Sequence, residues 1–222
     1  MVLVLVGLVP AAGHARRLGA QPSSKEVLPV RGRPVMDHLF ERLQVARPDR
    51  IRLITRPDKR DVVDHARELR AEVVLGEPPD VARSLLLGLD GVPAEAEVLV
   101  GFPDSIWEPE DGFVRLLDVL RDGAHDVVLG LFRASEPERS DVVALRADGI
   151  VTGVRVKPAD PGSDLVWGCC AARAGALAGL RAHAEPGMLF AALATRRRVA
   201  GIELSDAWID IGTPAALRQA GG

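Results

Sequence analysis

Apolar positions along the chain follow two alternating rhythms. Val2–Val9 is a continuous apolar run, the pattern of a strand buried on both faces inside a parallel sheet. Within Pro34–Ala46, the residues Val35, Leu39, Phe40 and Leu43 fall at helical spacing. The alternation continues. Strands are predicted at Ile51–Thr55, Glu72–Leu75, Val98–Phe102 and Asp126–Phe132. Helices are predicted at Pro57–Arg70, Val81–Leu89 and Glu108–Arg121, with Pro57 suited to a helix start. This order predicts an α/β sheet of mostly parallel strands. In the second half, strand-like segments Asp141–Leu145, Ile150–Val156 and Leu165–Ala171 are closely spaced, with a turn signal at Asp148-Gly149. They read as antiparallel additions. A helix near Gly187–Arg198, a strand at Val199–Leu204 and a helix Pro214–Gln219 with Thr213 as N-cap complete the pattern.

Composition narrows the class. With 222 residues, 47% hydrophobic and 27% charged, the chain can bury one sizeable core. A disulfide-stapled miniprotein, a disordered tail and a fibrous repeat are excluded. The net charge of −3 offers no basic field, so no nucleic-acid partner is expected. Met1–Ala12 lacks a charged leader and is too short to span a bilayer, and no later run approaches about 18 apolar residues. The expectation is a cytoplasmic protein without a membrane partner, and room is left for a homo-oligomer. Cys169 and Cys170 are adjacent, with no spaced Cys/His set, so they read as reduced core fillers rather than zinc ligands. Of the 28 basic residues only Lys25, Lys59 and Lys157 are lysine. A lysine in so Arg-rich a chain points to a position that needs a compact ammonium. Lys59 reads as part of an ordinary amphipathic helix.

The loop after the first strand carries the sharpest chemistry. Small residues Ala11, Ala12 and Gly13 let backbone N–H groups approach a phosphate, and Arg17 and Lys25 add positive charge beside them. The same loop also fits an ordinary strand-to-helix connection with solvated arginines. It lacks the Gly-Lys-Ser/Thr of a Walker loop and the G-x-G-x-x-G of a dinucleotide fold. The run Ala11-Ala12-Gly13-x-x-x-Arg17-Leu18, followed by Lys25-x-x-Leu28-Pro29-Val30 and Gly32-x-Pro34, resembles the signature of the sugar-1-phosphate nucleotidyltransferases. The glucose-1-phosphate thymidylyltransferase branch is the nearest. The chain departs at Ala15, where the family usually has Gly, and at Arg16, where it has Ser or Thr.

Further segments line up in order. Gly101-Phe102-Pro103-Asp104 resembles the family's Gly-Asp, with Phe-Pro interposed. The resemblance makes Asp104 a Mg²⁺ ligand, at a strand end where open sheets bind ligands. A turn aspartate after Pro103 is the plainer reading. Val156-Lys157-Pro158 resembles a Glu-Lys-Pro. It implies that Lys157 meets the sugar phosphate and that the Glu contact to a sugar hydroxyl is lost at Val156. Gly168 resembles a glycine lining the sugar pocket. Trp208-Ile209-Asp210-Ile211-Gly212-Thr213 resembles W-x-D-x-G-T, whose aspartate would be the second metal ligand, so Asp210 pairs with Asp104. Asp80 and Glu77 fall where the family meets the nucleobase. A carboxylate there would suit an amino-bearing base, and a solvated acidic loop is the equal alternative.

The resemblance spans Ala11 to Thr213 and implies a single domain over 1–222. About 1–135 forms a nucleotide-binding half and about 136–222 a sugar-phosphate-binding half. The fold implied is a three-layer α/β sandwich with a mixed, mostly parallel sheet, a Rossmann-like nucleotidyltransferase or GT-A-like fold. The implied reaction joins a nucleoside triphosphate to a sugar 1-phosphate, with Mg²⁺ as cofactor and release of pyrophosphate. By the same resemblance Arg17 and Lys25 would be the catalytic residues, and Ala11, Ala12, Gly13 and Asp80 would bind nucleotide. Lys157 and Gly168 would bind sugar phosphate, and Asp104 and Asp210 would hold the metal. A weakened or non-catalytic nucleotide-sugar binder and an enzyme acting on another phosphorylated acceptor are the alternatives.

Overall fold

The computed structural model describes residues 3–15, 18–19, 21, 23–205 and 207–221. In chain order the first half runs β1 (Leu5–Pro10), a short hairpin of β2 (Pro29–Val30) and β3 (Arg33–Pro34), α1 (Val35–Ala46), β4 (Arg50–Thr55), α2 (Arg60–Glu68), β5 (Glu72–Leu75), α3 (Val81–Gly88) and β6 (Glu97–Gly101). The second runs β7 (Ser105–Trp107), α4 (Gly112–Arg121), β8 (Val127–Arg133), β9 (Val142–Leu145), β10 (Val151–Arg155), β11 (Leu165–Arg173), α5 (Ala174–Leu177), α6 (Pro186–Ala194), β12 (Val199–Ser205), β13 (Trp208–Asp210) and α7 (Pro214–Gln219).

Among the described residues nine strands form one sheet. β5, β4, β1 and β6 lie side by side and parallel. β11 then runs antiparallel between β6 and β8, and β12 adds parallel to β8. The β9–β10 hairpin joins through β9 to the start of β11. Only β10 and β11 run against the other strands, so the sheet is mixed but mostly parallel. The continuous apolar run of β1 is explained by its central place, with helices on both faces. Val6 and Leu8 pack with Leu85 of α3 and Phe190 of α6. Leu5 and Val9 pack with Leu39 and Leu43 of α1, Val62 of α2 and Leu116 of α4. These clusters are the two halves of a three-layer core.

Topology places the ligand crevice. The chain winds from β1 through β4 to β5 with α1 and α2 on one face, then returns across the other face through α3 to β6, on the far side of β1. The winding reverses at β1, and the carboxyl ends of β1 and β6 flank the point where open α/β sheets bind ligands. The second-half hairpin turns at Gly149, whose φ of +80° only glycine adopts without strain.

Helix and strand ends differ from the sequence reading where local chemistry overrides periodicity. The helix expected from Pro57 begins at Arg60, because Lys59 has φ −83° and ψ 64° and turns inward. The helix expected from Glu108 begins at Gly112, because the Glu108 N–H donates to the Ala207 carbonyl at 3.2 Å beside the Ser105–Trp107 and Trp208–Asp210 ribbon, and a turn from Pro109 to Gly112 precedes the helix. Thr213 caps α7 as expected, its hydroxyl accepting from the Ala216 N–H at 3.2 Å. Cys169 and Cys170 are free, fully buried thiols. Burial raises both, Cys170 to about 12, so neither is a reactive thiolate at neutral pH.

Candidate active site

The loop following β1 is anchored from below by α2. Ser24 donates its N–H and hydroxyl to the Asp61 carboxylate at 2.7 and 2.8 Å. Glu26 is wholly buried and receives Lys59 Nζ at 2.7 Å, while the same ammonium donates to the Ala11 carbonyl at 2.8 Å. Burial pushes the Glu26 carboxyl up, against the pull of Lys59 and Lys25. Between these two anchors Lys25 points the other way and forms an ion pair with Asp104. Burial alone would lower the Lys25 pKa. The charge and hydrogen bond of Asp104, with the charges of Glu26 and Asp210, outweigh it and raise the value, so the ammonium persists through neutral pH.

The β7–β13 ribbon brings the two aspartates to one place. Asp210 pairs in register with Ser105, and the Ile211 N–H donates to the Asp104 carbonyl at 2.8 Å. Segments a hundred residues apart in sequence thus deliver both carboxylates to the carboxyl end of the sheet. Both line a cavity of about 190 Å³ with Lys157, Gly168, Asp141, Glu185 and Trp167. A larger cavity of about 480 Å³ adjoins the β1 loop and is lined by Gly13, His14, Ala15, Lys25, Arg56 and Arg60 among others. Lys25 belongs to this second cavity and its partner Asp104 to the first, so the ion pair stands at their boundary.

The other residues singled out by sequence divide. Ala11 is buried, and its N–H donates to the Ile54 carbonyl at 2.7 Å, continuing the β1–β4 ladder. It has no free donor for a phosphate, so any backbone cradle starts beyond it. Ala12 is also buried, and Gly13 is exposed with open space around its Cα. Asp80 caps α3, accepting the Arg83 N–H at 2.7 Å, which accounts for it structurally. Replacing Asp80 by Ala should cost about 1 kcal/mol in thermal unfolding, while Asn should retain the stability, because Asn caps as well as Asp. Equal melting of all three proteins would count against the cap. Gly168 has no room for a side chain, since a β-carbon would lie 2.9 Å from Trp208 Nε1 and 3.0 Å from the Phe132 ring. Lys157 sits at φ +42° and pairs with Glu185 Oε1 at 2.6 Å. Arg16 and Arg17 lie outside the described residues.

Two features escaped sequence reasoning. Arg56, just past β4, lines the larger cavity, pairs with Asp58 and meets His14. Its position at a parallel strand's carboxyl end was the available signal. Lys59 is a correction: it is a buried member of the loop anchor, not an exposed helix residue. Ala15 adopts φ +51°, a conformation suited to glycine. Ala15→Gly should therefore relieve strain and raise the melting temperature by roughly 1–3 °C, since strain near 1–2 kcal/mol is partly offset by the backbone entropy of glycine. A lower melting temperature would contradict this.

Among the described residues no helix is long and apolar enough to cross a membrane. No group of three or more His, Cys, Asp or Glu side chains there could hold a metal ion alone. The bifunctional protein GlmU of Rhodopseudomonas palustris strain TIE-1 is 30% identical over 162 residues, covering 71% of this chain and 35% of the relative. The GlmU of strain BisB5 is 32% identical over 135 residues, with 29% of its length covered. The chain thus spans about a third of the curated relatives it matches. A Bacillus anthracis structure described as a glucose-1-phosphate thymidylyltransferase in complex with sucrose superposes with TM-score 0.87 at 21% identity, covering 98% of this chain and 94% of that one. A UDP-glucose pyrophosphorylase bound to UDP-glucose superposes with TM-score 0.82 at 17% identity, covering 99% and 97%. At those identities the superpositions establish the fold. Residues 7–194 match the family of MobA-like NTP transferase domains, and the chain belongs to that family.

Proposed function

We propose that this protein is a sugar-1-phosphate nucleotidyltransferase, forming a nucleotide sugar and pyrophosphate from a nucleoside triphosphate and a sugar 1-phosphate. The observation that carries the reading is the Lys25–Asp104 pair, with Asp210 beside it, at the boundary between the β1-loop cavity and the cavity holding Lys157. The triphosphate lies along the β1 loop and the acceptor lies in the smaller cavity. A phosphate oxygen of the acceptor attacks the α-phosphorus in line, forming one P–O bond as the bond to pyrophosphate breaks. No side chain becomes covalently attached, so the protein contributes position and charge. Lys25 neutralises charge at the α-phosphate, Arg17 and Arg56 hold the departing pyrophosphate, and Lys157 holds the acceptor phosphate.

Two carboxylates with hard oxygen donors suit Mg²⁺, which usually takes one or two protein carboxylates and fills its shell with water and substrate phosphates. Asp104 and Asp210 are the residues that would hold it. Bound there, Mg²⁺ supplies charge neutralisation on phosphate oxygens. Glu77 is exposed in the loop before α3 and free to meet an amino-bearing base.

The test is a matrix of nucleoside triphosphates against sugar 1-phosphates and simple alcohol phosphates, read by pyrophosphate release with and without Mg²⁺. Release is expected with a sugar 1-phosphate, with loss on chelation and a preference for guanine or cytosine. A clear dTTP or UTP preference removes Glu77 from base recognition. Turnover confined to alcohol phosphates overturns the acceptor assignment.

A further inference from the structure

The resemblance implies a carboxylate before the acceptor-binding lysine, and Val156 stands there instead. The fold returns a carboxylate to the same place from the neighbouring strand. β9 and β10 are antiparallel, with Arg155 opposite Val142 at the end of the ladder. One position further sets Val156 opposite Asp141, and residues directly opposite in an antiparallel pair share a face. The packing agrees. A β-carbon at Gly187 would collide with Asp141 Oδ2 and would lie 3.1 Å from Val156 Cγ2, so both side chains crowd one point. Asp141 is 7% exposed, yet it lines the cavity holding Lys157, Asp104 and Asp210.

The carboxylate is held as a recognition group should be. Trp167 Nε1 donates to Asp141 Oδ2 at 3.1 Å. Trp167 is itself fixed between Phe102 and Phe190, at ring-centre distances of 5.5 and 5.0 Å. An ionised carboxylate offers about four acceptor positions, so the Trp167 donor leaves room for more. Glu185, the other carboxylate nearby, is already engaged with the Lys157 ammonium.

We propose that Asp141 is the residue that reads the acceptor's hydroxyl groups, replacing across the strand the carboxylate missing at Val156. The acceptor is then a polyhydroxylated phosphate rather than a simple alcohol phosphate. This rests on the nucleotidyltransferase reading above.

The test uses a sugar 1-phosphate that the protein turns over and its deoxy analogues, each lacking one hydroxyl. For the wild-type protein, one analogue should lose roughly tenfold to a hundredfold in kcat/KM, the scale of a hydrogen bond to a charged group. In Asp141→Asn that discrimination should shrink severalfold while KM for the triphosphate stays constant. The double variant Asp141→Ala with Val156→Glu should restore it, which a purely structural role for Asp141 would not. Equal losses on every acceptor, or unchanged discrimination in Asp141→Asn, overturn the assignment while leaving the proposed reaction standing. Indifference of the wild-type protein to every deoxy analogue overturns it whether or not the variants fold. Absence of turnover with any sugar phosphate overturns the reaction itself and this inference with it.

Discussion

Replacing Lys25 by alanine should lower turnover by at least roughly a hundredfold, the loss that follows removal of one preorganised charge-stabilising group. Lys25 is mostly buried between two cavities and bonded to Asp104, so its ammonium is in position before substrate arrives. Such a group does not have to reorganise as charge develops on the α-phosphate. The loss should fall on kcat more than on the KM of the acceptor, because Lys157 remains to hold the acceptor phosphate. Lys25→Arg should not rescue it fully. A guanidinium is planar and wide, whereas the space beside Asp104 and Asp210 suits a compact point charge. Steady-state kinetics on the three proteins, with melting curves to establish folding, decide the matter. Near-normal turnover of Lys25→Ala removes Lys25 from the mechanism.

Replacing Lys59 by alanine should instead cost stability, about 3–5 kcal/mol, because it strands a buried carboxylate. Glu26 has no exposed surface, and Lys59 is both its ion-pair partner and the donor to the Ala11 carbonyl. The cost should depend on pH in a definite sense. The Glu26 carboxyl is already pushed up by burial, and losing Lys59 pushes it further. Below the unfolded pKa of a glutamate both states are protonated and the penalty is small. It grows as pH rises towards the folded value, because the native state then resists ionisation. Pairing Lys59→Met with Glu26→Gln should recover most of the stability, since replacing both partners avoids the orphaned charge. Chemical denaturation at several pH values measures all three proteins. A single variant as stable as the wild type, or a double variant as unstable as the single, contradicts the anchor.

Much of the sheet was legible because its central strands are buried on both faces and separated by helices with apolar stripes. β5 spans the expected Glu72–Leu75, β11 starts at Leu165 where its apolar run begins, and Thr213 caps where its position before Pro214 implies. The β7–β13 ribbon was not legible as a pairing. Its strands have three residues each and meet across a hundred residues of chain, so no local period betrays them. That ribbon delivers Asp104 and Asp210 together, and only ordered motifs could have coupled them in advance. The rarity of lysine was a better guide than its first interpretation. Lys25 and Lys157 stood out, while Lys59 was hidden by the amphipathic pattern of Val62, Val63 and Ala66 that follows it. All three ammonium groups prove to be paired with carboxylates, Asp104, Glu185 and Glu26, around the β1 loop and the cavities beside it. Asp141 lay outside every motif. Its meaning depends on strand register, which places it opposite Val156.

The central claim is tested most directly by following a triphosphate labelled at its α-phosphorus, mixed with Mg²⁺, a sugar 1-phosphate and the protein. The label should pass into a nucleotide sugar, with one pyrophosphate released per label transferred and no label retained on the protein. Pyrophosphate release that does not require the acceptor, label bound covalently to the protein, or no transfer with any sugar 1-phosphate would contradict it.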